Sequence, residues 1–94
     1  MSKNNEQVKL RHKEVRTWIA EIKEHAGCQD CKARLPDYCL TFDHVPGRGQ
    51  KLFTIGQKVT SLGRNRLMAE MEKCDIVCLN CHSLRTHART RLGQ

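Results

Sequence analysis

Aromatic side chains are scarce in this chain: Trp18, Tyr38, Phe42 and Phe53 are the only four among 94 residues. Aromatics supply much of the buried area of a small core, so a single domain of this length needs another source of cohesion. No apolar run approaches the roughly 20 residues of a membrane-spanning helix, which argues against a membrane partner. The N-terminal Met1 to Glu6 is polar and lacks the apolar stretch of a secretory signal, so we expect a cytoplasmic protein. Low-complexity tracts and internal repeats are missing as well. Acidic residues are in deficit, 10 against 17 lysines and arginines, giving a formal net charge of +7 and a pI of about 9.4. A polyanionic partner fits that balance, although many small domains are basic for solubility alone.

What the chain does have is six cysteines. Two pairs share a spacing, Cys28-Gln29-Asp30-Cys31 and Cys78-Leu79-Asn80-Cys81. Each Cys-x-x-Cys puts two sulfurs on one tight turn, where backbone amides can hydrogen-bond thiolates. Two such pairs can hold one tetrahedral Zn²⁺. A structural zinc would contribute directly to folding. A disulfide framework would need an oxidising compartment that the N-terminus does not suggest. Cys39 and Cys74 lack a paired spacing and read as small buried residues.

Hydrophobic periodicity organises the rest. Glu6 to His25 reads as an amphipathic helix, with Val15, Trp18, Ile19, Ile22 and Ala26 at helical spacing and Gly27 placed to stop it. A knuckle follows over Cys28 to Pro36. Tyr38 to Val45 alternates like a strand and is broken by the basic loop Pro46 to Lys51. Leu52 to Thr60 fits neither period. Ser61 is positioned to cap a helix over Leu62 to Lys73, with Leu67, Met68 and Met71 as its inner face. Asp75 to Val77 reads as a strand. Cys81 to Leu92 reads as a final helix, with Leu84, Ala88 and Leu92 inside and Arg85, Arg89 and Arg91 outside.

Closing the two knuckles on one metal would bring His82, at the start of the last helix, towards Asp43-His44 at the end of the first strand. A carboxylate and imidazoles suit a catalytic divalent ion. A second reading stands beside this one: His82 packs near the zinc, and Asp43 pairs with an arginine. His87, five residues after His82, is unsuited to share its helix face and reads as surface.

The combined set Cys28-x-x-Cys31, Phe42-Asp43-His44-Val45-Pro46 and Lys73-Cys74-Asp75-Ile76-Val77-Cys78-x-Asn80-Cys81-His82 resembles the HNH endonucleases. It is closest to the short, zinc-stapled kind found in bacteriophages and bacteria. The resemblance covers roughly Cys28 to Thr86. It implies an α+β chain with a ββα-metal (His-Me finger) fold. Residues 27–94 would form the nuclease domain, stapled by zinc at Cys28, Cys31, Cys78 and Cys81, and residues 1–26 would add a helix to it. It also implies that His44 is a general base and that Asp43 and His82 hold one Mg²⁺, Mn²⁺ or Ni²⁺. The family's middle asparagine would fall near Lys73 to Asp75, where none is present, and Asn80 is the available substitute. Arg48, Lys51, Arg85 and Arg89 would meet the phosphates of double-stranded DNA, with weak or no sequence preference, unless the last helix simply presents a solvated face.

The implied activity is metal-dependent hydrolysis of DNA by a monomer or weak dimer in a bacterial or phage-infected cell, with phage packaging or replication proteins as further partners. The alternatives are a non-catalytic zinc-stapled module that binds nucleic acid and an accessory domain of a packaging assembly.

Overall fold

A computed structural model of the chain describes residues 2–59 and 61–91. In the long first helix, α1 (Ser2–Ala26), the described side chains that pack lie mostly in the C-terminal half. Ile19 is buried and Val15, Trp18 and Ile22 are half-buried, whereas Val8 and Leu10 are exposed. Gly27 ends the helix at φ +68, a left-handed conformation that costs glycine nothing, and its N–H donates to the Lys23 carbonyl at 2.9 Å. A Cβ at this position would lie 3.1 Å from the Ala33 carbonyl oxygen, so the chain needs glycine where it enters the knuckle.

The predicted strand from Tyr38 begins two residues later. A 3₁₀ turn occupies Asp37–Cys39, leaving Tyr38 exposed, and is tied to α1 by the Asp37 N–H, which donates to the Glu24 carboxylate at 3.0 Å. Strand β1 (Leu40–His44) pairs antiparallel with β2 (Cys74–Cys78) in a two-stranded sheet. The register sets Leu40 opposite Cys78, Asp43 opposite Asp75 and His44 opposite Cys74. Between the strands lie the loop after His44, a short helix α2 (Ile55–Lys58) within the segment that fitted neither period, and α3 (Arg64–Met71). The last helix, α4 (Leu79–Arg91), starts inside the second Cys-x-x-Cys. Among the described residues the architecture is therefore α+β, with four α-helices around one antiparallel pair of strands. No helix among the described residues is long and apolar enough to cross a membrane.

Two apolar clusters hold these elements. Cys28, Leu40, Val77, Cys78 and Cys81 form the first, around the knuckles. Ile19, Ile55 and Leu67 form the second, with Trp18, Phe42 and Phe53 packed against it, and join α1, α2 and α3. Three of the four aromatics are thus concentrated in one place, with Tyr38 left exposed, and the knuckle core is built from cysteine and aliphatic side chains.

Two helix faces differ from the sequence expectation. Helix α3 begins at Arg64 behind Gly63, and the expected cap, Ser61, instead donates its hydroxyl to the Lys58 carbonyl at 3.4 Å. Its buried residues are Leu67 and Glu70, while Met68 is exposed. In α4 the inward face is Cys81, His82, Arg85 and Arg89, and Leu84 is 68% exposed. Leu92, expected on the inner face, lies outside the described residues. The reason is geometric. Cys81 is fixed in the knuckle, so residues four and eight further on must face the sheet, and the sheet there presents carboxylates.

Candidate functional site

The four knuckle sulfurs lie within 4.8 Å of one another, with Cys31 Sγ and Cys78 Sγ 4.0 Å apart. A tetrahedral Zn²⁺ with Zn–S bonds of about 2.3 Å places its sulfurs about 3.8 Å apart, so this cage has the dimensions of a zinc site. Backbone amides point into it. Cys31 N–H and Cys78 N–H donate to Cys28 Sγ at 3.4 and 3.2 Å, and Cys81 N–H donates to Cys78 Sγ at 3.4 Å. Against the opposing effect of burial, amide hydrogen bonds from Cys31, Cys78 and Asp30 bring the Cys28 thiol down to about 6. Cys81 is pushed up to about 12, first by its hydrogen bond with the Cys78 sulfur and then by burial and the other two sulfurs. Four thiolates this close repel one another, and a divalent cation between them removes that obstacle. Cys39 and Cys74, both half-buried, lie outside the cage. Burial, followed by the Glu70 and Asp43 charges, raises the Cys74 thiol to about 11 and keeps it protonated at neutral pH.

The cysteine cage and the strand pair together bring His82 beside Asp43, with Nε2 of the imidazole 3.6 Å from the carboxylate. Asp43 is buried, and both of its oxygens are engaged. Arg89 donates to each, at 2.9 and 2.8 Å, and Arg85 donates to Oδ2 at 2.8 Å. Burial alone would raise the Asp43 carboxyl; the bonds from Arg89 and Arg85 overcome it and hold the group below the ordinary carboxylate range. Arg85 also donates to Asp75 at 3.0 Å and to both oxygens of Asp30, at 2.7 and 2.6 Å. Asp43 and Asp75 face each other across the strands, an arrangement that repels unless a cation bridges it. Arg85 is that bridge. Two of the three arginines expected on the outside of α4, Arg85 and Arg89, are therefore turned onto Asp43, as in the second of the two readings of that residue.

His44 looks elsewhere. Its Nε2 lies 2.8 Å from Oε2 of Glu70, a carboxylate only 1% exposed. Glu70 also accepts from the Leu52 N–H at 3.0 Å and from Lys73 Nζ at 3.0 Å, and Lys73 Nζ donates in turn to the Gln50 carbonyl at 2.9 Å. Burial disfavours the Glu70 anion, yet the bonds from Lys73, Leu52 and His44 hold it at about 2. Asn80, by contrast, is exposed in the first turn of α4. Atoms from Asp43, His44 and His82 do not converge on a point as the four sulfurs do. Among the described residues, the cysteine cage is the one cluster of three or more such ligands within 4.8 Å.

His44 and His82 nevertheless line the same cavity, of about 470 Å³, between α1 and β1. Arg16 and Lys23 of α1 and Lys51 of the loop line it too, over a floor that includes Phe42. Lys23 Nζ lies 5.7 Å from the centre of the Phe42 ring. Arg48 is turned away from this cavity onto Asp75, 2.9 Å from its carboxylate. His87 is exposed, in keeping with its sequence position. Sequence reasoning missed Glu70, Arg16 and Lys23. The available clue to Glu70 was its spacing: three residues after Leu67 and three before Lys73, it falls on the apolar face of α3. No protein-family model matches the chain, and no curated protein or solved structure matches it.

Proposed function

We propose that this domain is a metal-dependent DNA endonuclease of the HNH kind, with weak or no sequence specificity. The observation that carries the reading is the shared cavity. Two imidazoles, His44 and His82, face one cationic cleft, and His82 lies 3.6 Å from a buried carboxylate, Asp43. Two imidazoles, one of them beside a carboxylate, are the groups of acid–base and metal chemistry, which phosphate binding alone does not require. In this reading Arg16, Lys23 and Lys51 draw the phosphodiester backbone into the cleft. His44 takes a proton from a water molecule whose oxygen attacks phosphorus. The bond from phosphorus to the 3′ oxygen breaks, and that oxygen takes a proton from solvent, leaving 5′-phosphate and 3′-hydroxyl ends.

Asp43 and His82 are the residues that would hold Mg²⁺, Mn²⁺ or Ni²⁺, whose contribution when bound is to neutralise charge at the scissile phosphate. The donor chemistry, one carboxylate and one imidazole, suits such an ion. Its entry requires that Asp43 give up guanidinium contacts, because both oxygens are engaged. That engagement is the specific support for the other reading, in which Arg85 and Arg89 neutralise Asp43 permanently and the domain is a zinc-stapled nucleic-acid-binding or packaging module.

Plasmid nicking separates the two. Zinc-loaded protein with added Mg²⁺, Mn²⁺ or Ni²⁺ is expected to relax supercoiled DNA, and His44→Ala to slow this by about 10²–10⁴-fold, the contribution of a general base. Intact plasmid with every metal, or equal cutting by His44→Ala, favours the binding module.

A further inference from the structure

The buried carboxylate of α3 has no part in the proposed function as stated so far, and its placement is specific. Glu70 is 1% exposed and has gathered three donors from three segments: the Leu52 amide, the Lys73 ammonium and the His44 ring. An ionised carboxylate accepts hydrogen bonds and donates none. The nitrogen 2.8 Å away, Nε2 of His44, must therefore carry the hydrogen. In a neutral imidazole one nitrogen then remains as acceptor, and here it is Nδ1.

We propose that Glu70 is the positioning residue for His44: it fixes the imidazole as the Nε2–H tautomer, locks the ring direction, and leaves Nδ1 as the nitrogen that accepts the water proton. The catalytic part of this inference rests on the nuclease reading above; the tautomer does not. Lys73 holds the other carboxylate oxygen, Oε1, and the Leu52 amide shares Oε2 with the ring, so two donors besides His44 fix the position of the carboxylate. The contact reaches His44 from α3, through a side chain 26 residues away in sequence.

The competing explanation is structural: Glu70 ties the loop at Gln50 to Leu52 onto α3, and its contact with His44 is incidental. Three measurements on the zinc-loaded protein distinguish them. Long-range ¹H–¹⁵N correlation of the histidine side chains at mildly alkaline pH should show His44 as the Nε2–H tautomer in the wild type. An Nδ1–H tautomer there overturns the inference whether or not the protein cuts DNA. Glu70→Gln keeps the shape of the side chain; it should lower kcat at least tenfold, up to the full general-base contribution of about 10²–10⁴, with KM and DNA affinity unchanged. Finally, Glu70→Gln added to His44→Ala should cost no further activity, because a residue acting through His44 has nothing left to act on. An additive loss in the double variant, or a raised KM with unchanged kcat, assigns Glu70 to loop anchoring and overturns the proposal. If Glu70→Gln fails to fold, the wild-type tautomer still decides. A wild type inactive with every metal counts against the nuclease reading alone.

Discussion

Removing Arg85 tests whether a guanidinium holds the acidic side of the sheet together. Arg85→Ala deletes the donor shared by Asp43, Asp75 and Asp30. The Asp43 bond is the valuable one, because that side chain is only 4% exposed and the bond is charge-assisted, a class that contributes about 1.5–3 kcal/mol. Asp75 is 18% exposed, so solvent weakens its bond to less than about 1 kcal/mol, and Asp30 sits in solvent and is left out of the sum. Freeing the arginine side chain in the unfolded reference offsets about 1 kcal/mol. The net expectation is a loss of about 2 kcal/mol, or about 10 °C in Tm for a domain of this size.

Urea unfolding at fixed zinc measures it, and Arg85→Lys should recover only part, since one ammonium cannot reach three carboxylates. The pH dependence has a definite sign. Asp43 has a lowered folded pKa, so its contribution is complete above the ordinary carboxylate value of about 3.9 and is lost as pH falls through the lower folded value. The gap between wild type and Arg85→Ala should therefore be flat from neutral pH to about pH 5. Arg85→Ala within 0.5 kcal/mol of the wild type, or Arg85→Lys equal to it, would refute the bridging role. The same variant bears on function: with one guanidinium gone, Mn²⁺ should raise the Tm of Arg85→Ala more than that of the wild type. Equal response means that Arg85 does not compete with an ion at Asp43.

Two further outcomes are expected. Metal analysis should find one zinc per chain, and Cys28→Ser or Cys81→Ser, or a strong chelator, should abolish cooperative unfolding, because the knuckle core has little other than cysteine and aliphatic side chains to hold it. Lys23→Glu and Arg16→Glu should each weaken DNA binding for all sequences and flatten the dependence of log Kd on log salt by roughly one phosphate contact, about 0.9 in slope; fluorescence anisotropy across a salt series reads this, and unchanged affinity would remove α1 from the cleft.

The parts legible in the sequence are those governed by short-range spacing. Two Cys-x-x-Cys pairs are local turns, so the cage was readable from the spacing alone, and Gly27 marked the helix end because only glycine takes φ +68 there freely. The two strands were readable, the first from its alternation and the second from a short apolar run before the second cysteine pair. The inner faces of α3 and α4 were not. Reading helix faces by hydropathy assigns charge to solvent, and that assumption fails where the opposing surface is itself charged. Asp43 and Asp75 face each other only once the strand register is set, and it is this paired negative surface that turns Arg85 and Arg89 inward and leaves Leu84 in solvent.

The same division holds for the candidate site. By itself the sequence determined the four cysteines of the cage and named Asp43, His44 and His82, since motif spacing carries that much. Only the tertiary structure decided what each of them touches: Asp43 against two arginines, His82 beside Asp43, and His44 on a buried glutamate from another helix. The physical reason is that a hydrogen-bond partner is chosen by position and desolvation. Those are set by packing between residues as far apart as His44 and Glu70, and no local spacing encodes them.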